Sequence, residues 1–294
     1  MKPRWIMLAL VGAVALAGIG WALSGGAKTR RDYASFAQCP LGDPATDLCL
    51  FTRAEHGEFR VGERKMPIGD TITLQGGAHV VEDGRGDILR DDLIAAEDGK
   101  TLSRTPQPFP GGLRGVVDAD LLSPSSRRAF DELLARGISA VTATIELVAP
   151  ASSIHMNVQN LIEGRGIALS MPVQMRLSNP FLGADCHIGS ARRPVVLALT
   201  TGTTSPPGPN RPIEGRIGKA KLSDDYNLTV IRGTALVGNA FAGPPAGGCG
   251  AKPSPQIDRA VNAALGLPAP AGENAAVLEG TLQDANASAV RASR

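Results

Sequence analysis

The longest regular pattern in the chain runs from Ile167 to Leu177, where every odd position is large and apolar and every even one is small or polar. Side chains alternate across a strand with a period of two, so this segment reads as a half-buried β-strand. Pro172 falls on the outward phase, which predicts an edge strand or a bulge. Val141 to Leu147 alternates likewise, with Thr142, Thr144 and Glu146 outward. Ile154, Met156 and Val158 alternate with His155, Asn157 and Gln159. Val195 to Leu199 is continuously apolar, as a central strand requires. Ile217–Leu222 and Leu228–Arg232 flank Ser223-Asp224-Asp225, while Phe59–Val61 and Lys65–Ile68 flank Gly62-Glu63-Arg64; both read as hairpins. Thr71 to Gln75 adds a strand before Gly76-Gly77.

Two segments carry helical signals instead. Ser123 caps the first, Pro124 opens it and Gly137 ends it. Its Arg127 and Arg128 stand four residues before Asp131 and Glu132, a spacing for surface ion pairs. The second runs from Ser254-Pro255 to Gly266, with Pro268 beyond. Ile257, Ala260, Val261, Ala264 and Leu265 form one apolar stripe along it. Many alternating strands with short turns and about two short helices predict a mainly β fold, an antiparallel β-sandwich or barrel. The 35 glycines and 22 prolines fit that turn-rich design, and a 43% hydrophobic content excludes a wholly disordered chain.

The N-terminus has a different character. Lys2 and Arg4 precede an apolar run from Trp5 to Leu23, and Ser24-Gly25-Gly26-Ala27 follows. This is the layout of an export signal. Residues 1–27 are expected to form a cleaved signal peptide or, because Ile6 to Leu23 is just long enough to cross a bilayer, a signal anchor. Residues 28–37 read as a linker, 38–282 as a β-rich extracytoplasmic domain, and 283–294, polar and rich in Ala and Ser, as a disordered tail. The expected location is secreted or anchored to the outer face of the cytoplasmic membrane, touching the membrane only through the N-terminal segment.

The cysteines fit that compartment. Cys39, Cys49, Cys186 and Cys249 all lie after the signal, and an even count in an exported chain reads as disulfides. Three pairings are open, and Cys39–Cys49 with Cys186–Cys249 is favoured. The first closes a short loop containing Pro-Leu-Gly-Asp-Pro, and the second ties a strand approach to a Gly/Pro loop. A zinc site is disfavoured, because no Cys-x-x-Cys occurs and His187 beside Cys186 is a poor ligand pair.

Charge narrows the function further. Of 30 Lys and Arg, two lie in the first five residues, leaving 28 against 28 Asp and Glu, a net of zero. A nucleic-acid role normally needs a basic face, so none is expected. Both tryptophans, Trp5 and Trp21, fall in the export segment, which removes the aromatic platforms of single-strand binders. The four histidines, His56, His79, His155 and His187, form no His-Glu-x-x-His pattern. His155 is expected on a solvated strand face, and Glu55 to Glu58 in a turn. No nucleophile elbow, phosphate loop or dinucleotide fingerprint is present, so no catalytic, cofactor or metal residue is assigned. The acidic segment Glu82 to Asp98 has the carboxylates of a calcium loop, but Arg85 stands where an EF-hand needs an acid, and a salt-paired surface excursion is expected. It also contains Arg85-Gly86-Asp87, a tripeptide short enough to recur by chance. Asn227-Leu-Thr229 and Asn286-Ala-Ser288 match the glycosylation acceptor by coincidence.

Several segments, taken in order, resemble a known group. They are Cys39-Pro40 with Asp43-Pro44 before Cys49, Thr71-Ile-Thr-Leu-Gln-Gly-Gly77, Thr101-Leu-Ser-Arg-Thr-Pro-Gln107 and Pro110-Gly-Gly-Leu113. Ala168-Leu-Ser-Met-Pro-Val173, Asn179-Pro-Phe-Leu-Gly183, Cys186-His-Ile-Gly-Ser190, Leu199-Thr-Thr-Gly-Thr-Thr-Ser-Pro-Pro207 and Gly266-Leu-Pro-Ala269 follow. Together they resemble a group of predicted secreted proteins of actinobacteria that has no assigned activity. The resemblance spans most of Cys39 to Leu282, omits the acidic segment, and implies export and origin but no catalytic residue.

The expected function is therefore an exported, non-catalytic cell-envelope or secreted protein, a structural or binding module. One alternative is a carrier of a lipid or other apolar ligand, its cavity lined by the odd face of Ile167 to Leu177. Another is a hydrolase assembled from distant groups, for which His155, His187, Asp185 and Glu163 would have to meet.

Overall fold

The computed structural model describes residues 31–83, 85 and 88–294. The leader expected at 1–27 lies outside them, as do Gly86 and Asp87 of the Arg-Gly-Asp tripeptide. No described helix is long and apolar enough to cross a membrane.

The chain is mainly β. It forms β1 (Leu48–Val61), β2 (Arg64–Pro67), β3 (Ile72–Glu82), β4 (Ile88–Ala95) and β5 (Gln107–Pro108), then α1 (Gly112–Val116) and α2 (Pro124–Ala135). Next come β6 (Thr142–Leu147), β7 (His155–Met156), α3 (Val158–Glu163), β8 (Leu169–Ser178), β9 (His187–Ile188) and β10 (Val195–Leu199). A hairpin of β11 (Lys219–Leu222) and β12 (Leu228–Gly238) follows, then β13 (Ala246–Gly247), α4 (Pro255–Leu265), β14 (Ala275–Asn286) and α5 (Ala287–Ala292). The strands make one 14-stranded sheet with the main order β11-β12-β14-β1-β3-β4-β7-β8-β6-β5. Every pairing in it is antiparallel. Among the described residues five α-helices stand where about two were expected, and α1, α3 and α5 are too short for a periodic stripe to reveal them.

The sheet curls back on itself. β10 pairs with β8, and the residue after β10, Thr200, exchanges two 2.8 Å backbone bonds with Val237 of β12. The path β12-β14-β1-β3-β4-β7-β8-β10 therefore returns to β12. Bulges at Ala54/His56 and Arg232/Thr234 supply the bending. Gly280 lies beside both: a Cβ there would sit 1.8 Å from the Arg53 carbonyl oxygen, so only glycine allows β14 this close to β1. Glu55 to Glu58, expected as a turn, lies inside β1 at its bulge.

Inner faces pack one main core. Leu169, Met171, Val173, Met175 and Leu177 are buried in it as the alternation requires, whereas Ile167 lies before the strand and is 53% exposed. The interior gap among Ile72, Leu74, Leu102, Met171, Leu236 and Leu282 holds about 60 Å³. β8 is no edge strand. The Pro172 carbonyl accepts from Val148 N, so the N–H it lacks would point to that same side, into the break between β6 and β7. β10 is not fully covered, since Val196 is 47% exposed and only Thr200 reaches β12.

α2 and α4 appear where capping and periodicity place them. The Ser123 hydroxyl accepts from Ser126 N at 3.1 Å, and Arg127 meets Asp131 at 3.2 Å. Phe130 of α2 meets Phe181 edge-on at 5.4 Å. The alternation through Val158 ends early, because the Asn157 side chain accepts from Asn160 N and starts α3. The strand before Gly76-Gly77 continues through both glycines to Glu82.

Both terminal expectations need correction. Tyr33 and Phe36, in the expected linker, are buried with Cys39, Cys49, Ala285, Ala287 and Val290 in a second small core. Residues 283–294 are not a disordered tail: they complete β14 and form α5, whose Ala287 and Val290 are about 1% exposed. Alternation in β14 is masked by its small and polar residues, so composition alone misleads there.

Candidate functional site

The two disulfides are Cys39–Cys49 and Cys186–Cys249, with Cα–Cα distances of 5.4 and 4.1 Å. No free cysteine is described. Cys186 immediately precedes β9, and Cys249 follows β13, which pairs with β9. This clamp holds together the walls of a polar cleft of about 310 Å³. Gly248 has φ 73° and a Cβ there would lie 2.2 Å from the Asp185 carbonyl oxygen, so glycine lets the two walls approach.

The pairing of β6, β8 and β9 builds the polar group at the cleft. Glu146 faces Gln174 across the β6–β8 ladder, and Arg176 faces His187 across β8–β9. Glu146 Oε1 accepts from Arg176 Nε at 2.9 Å, and Oε2 accepts from Gln174 Nε2 at 3.2 Å. His187 Nε2 stands 3.6 Å from Glu146 Oε2. His187 Nδ1 is 2.9 Å from the Asp185 carbonyl oxygen. A carbonyl only accepts, so Nδ1 carries a proton and orients the ring. Burial pushes the Glu146 carboxyl up, but bonds from Gln174 and Arg176 and the charges of Arg176 and Arg104 outweigh it and hold the carboxyl low. Asp185, Ser190 and Arg193 complete the polar lining. Ser190 Oγ accepts from Arg193 N at 3.2 Å within its turn, and no hydrogen bond joins it to His187 among the described residues. The arrangement offers guanidinium, amide and imidazole groups beside two carboxylates, which suits a small polar ligand.

The four residues a hydrolase would need do not join through their side chains. His155 Nδ1 meets Asp92 Oδ1 at 2.7 Å, on a half-exposed face with Arg90 on the same carboxylate. The Arg90 bond, against some burial and with help from His155, holds the Asp92 carboxyl low. Glu163 is occupied by Arg165 and Gln159. Asp185 reaches His187 only through its backbone. His79 pairs with Asp47 at 2.9 Å, in register opposite Asp92 on β4. Glu146 and Arg176, the groups His187 does meet, were visible only as the outward phase of two separate strands.

The acidic segment is the β3–β4 hairpin with the turn after it, and it is not wholly solvated: Asp91 is buried to 1% exposure. The asparagines of the two acceptor motifs bond each other, Asn286 Nδ2 donating to Asn227 Oδ1 at 2.8 Å. No three His, Cys, Asp or Glu side chains among the described residues converge to cage a metal ion. No protein-family model matches the chain, and neither the curated proteins nor the solved structures provide a match.

Proposed function

We propose that the chain is an exported, non-catalytic component of the cell envelope or the medium, acting as a binding module on a rigid closed barrel. The observation that carries this reading is the pair of buried disulfides, one at each of two separate cores, which needs an oxidising compartment to form. The charged, apolar and small-residue order of residues 1–27 and the resemblance to predicted secreted actinobacterial proteins support the same location. The ring of eight strands, read as a barrel, serves as scaffold, and the cleft at Cys186–Cys249 serves as the binding surface.

The alternatives lose ground on two observations. Ligand pockets for drug-sized apolar molecules hold roughly 300–1,000 Å³. The interior gap of about 60 Å³ is far below that, and the odd face of β8 packs the core. The hydrolase reading needed His155, His187, Asp185 and Glu163 to meet; His155, His187 and Glu163 have other side-chain partners, and Asp185 reaches His187 only through its backbone carbonyl.

The test is native mass spectrometry of the protein purified from its host's envelope and medium, then denaturing mass with and without reduction. A gain of four hydrogens on reduction, and a small polar mass released on denaturation, are the expected results. Recovery from the cytoplasm with four free thiols would overturn the reading. Lipid released on denaturation would restore the carrier.

A further inference from the structure

The cleft at Cys186–Cys249 has a direction along it. Burial alternates over residues 185–189: Cys186 and Ile188 point into the core, while Asp185, His187 and Gly189 line the cleft. Asp185 marks one end, where its carbonyl approaches Gly248. Arg193 marks the other. There Gly189, at φ 81°, turns the chain, and Ser190 and Arg193 exchange two 3.0 Å backbone bonds. The Arg193 carbonyl oxygen lies 3.2 Å from where a Gly189 Cβ would stand. The extended steps between Asp185 and Gly189 cover about 13 Å.

The two ends carry opposite charges. Asp185 and Arg193 are exposed, and neither side chain has a hydrogen bond or ion pair among the described residues. The middle is already satisfied: Arg176 and Gln174 donate to Glu146, and His187 holds its Nδ1 on the Asp185 carbonyl. The Gln174 side-chain oxygen accepts no bond among the described residues, which leaves an acceptor for a ligand amide. Gly247 stands opposite His187, and a Cβ there would meet nothing within 4 Å, so the floor beside the ring is open. Pro244 and Pro245 form a small apolar wall.

We propose that this cleft binds a zwitterionic peptide of two or three small residues, its ammonium on Asp185 and its carboxylate on Arg193. The inference rests on the reading of the cleft as the binding surface. A volume of about 310 Å³ stands at the small end of ligand pockets. Three extended residues reach at most about 10–11 Å, and the two charged side chains close the rest of the span. Either end alone would take a simple anion or cation; together they favour a ligand that carries both charges. Both end contacts are charge-assisted, the stronger class of hydrogen bond. The glycine and proline walls suit small side chains.

The test titrates trialanine into the exported protein, its disulfides intact, by calorimetry at low salt near neutral pH. One peptide per chain is expected to bind. Acetyl-trialanine lacks the ammonium and trialanine amide lacks the carboxylate, and each is expected to bind at least about tenfold more weakly. Asp185→Asn should erase the difference between trialanine and its acetyl form. Arg193→Gln should erase that between trialanine and its amide, so each variant reports the ligand end it holds. Both side chains are exposed, so both variants should fold; if one does not, the other decides. Trialanine that gives neither heat nor a melting shift overturns the proposal. So does equal binding of the three peptides, or a preference that both variants retain, which would place the peptide elsewhere. The binding-module reading fails separately, on recovery from the cytoplasm with free thiols. A non-peptide polar mass in the native spectra, with no response to trialanine, overturns the peptide assignment alone.

Discussion

Gln107 and Asn274 are wholly buried amides that staple loops to the sheet. Gln107 Oε1 accepts from Gly69 N and Asp70 N at 2.8 and 3.0 Å, and Nε2 donates to the Asp70 carbonyl at 2.7 Å. Asn274 Oδ1 accepts from Gly62 N at 3.0 Å, while Nδ2 donates to the carbonyls of Phe241 and Pro270. Gln107→Ala strands three backbone groups away from water and is expected to cost about 2–4 kcal/mol, read as a lower denaturation midpoint at unchanged slope. Glu146 has a pH signature. Its carboxyl is held low in the folded state, so its contribution is full above the ordinary value of 4.5 and fades as pH falls through the lowered folded value. Glu146→Gln should therefore flatten the acid side of the stability profile and leave the alkaline side alone. None of these roles is written in local sequence. A lone Gln, Asn or Glu has no periodicity, and its partners lie on other strands.

Elements were more legible than single roles, because alternation, capping and turn chemistry act over a few residues. β8, the β11–β12 and β1–β2 hairpins, α2 and α4 all stand close to where those signals put them. The two cap positions now separate. Ser123 accepts a backbone bond, whereas Ser254 makes no side-chain cap. Ser123→Ala is expected to cost about 1 kcal/mol and Ser254→Ala far less, measurable side by side by thermal melting. The misses have local causes too. Asn157 looked like the polar phase of a strand and acts as a helix cap. The strand expected over Thr71 to Gln75 does not stop before Gly76-Gly77: Pro40 and Thr46 pack against Gly77, and the strand runs on to Glu82.

At the scale of the molecule, the two disulfides should differ in worth. Cys39–Cys49 closes 10 residues and Cys186–Cys249 closes 63. Chain-entropy reasoning gives about 3 kcal/mol for the shorter loop and about 4 kcal/mol for the longer. Replacing each pair by alanine and comparing urea midpoints checks the order. The Cys186–Cys249 variant should also loosen the cleft, since the clamp holds β9 against β13, and hydrogen exchange at Ile188 and Ala246 would report it.

By itself the sequence determined a β-rich chain with a helix at each capped and striped segment, a charged, apolar and small-residue order over residues 1–27, and cysteines suited to disulfides. Those properties follow from residues near one another or from composition. The tertiary structure alone decided the return of β10 to β12, the meeting of Glu146 with His187, the burial of Asp91, and the docking of the C-terminal segment. Each joins residues far apart in the chain. Such contacts form only when burial across the whole sheet outweighs the entropy of closing long loops, and no local pattern records that balance.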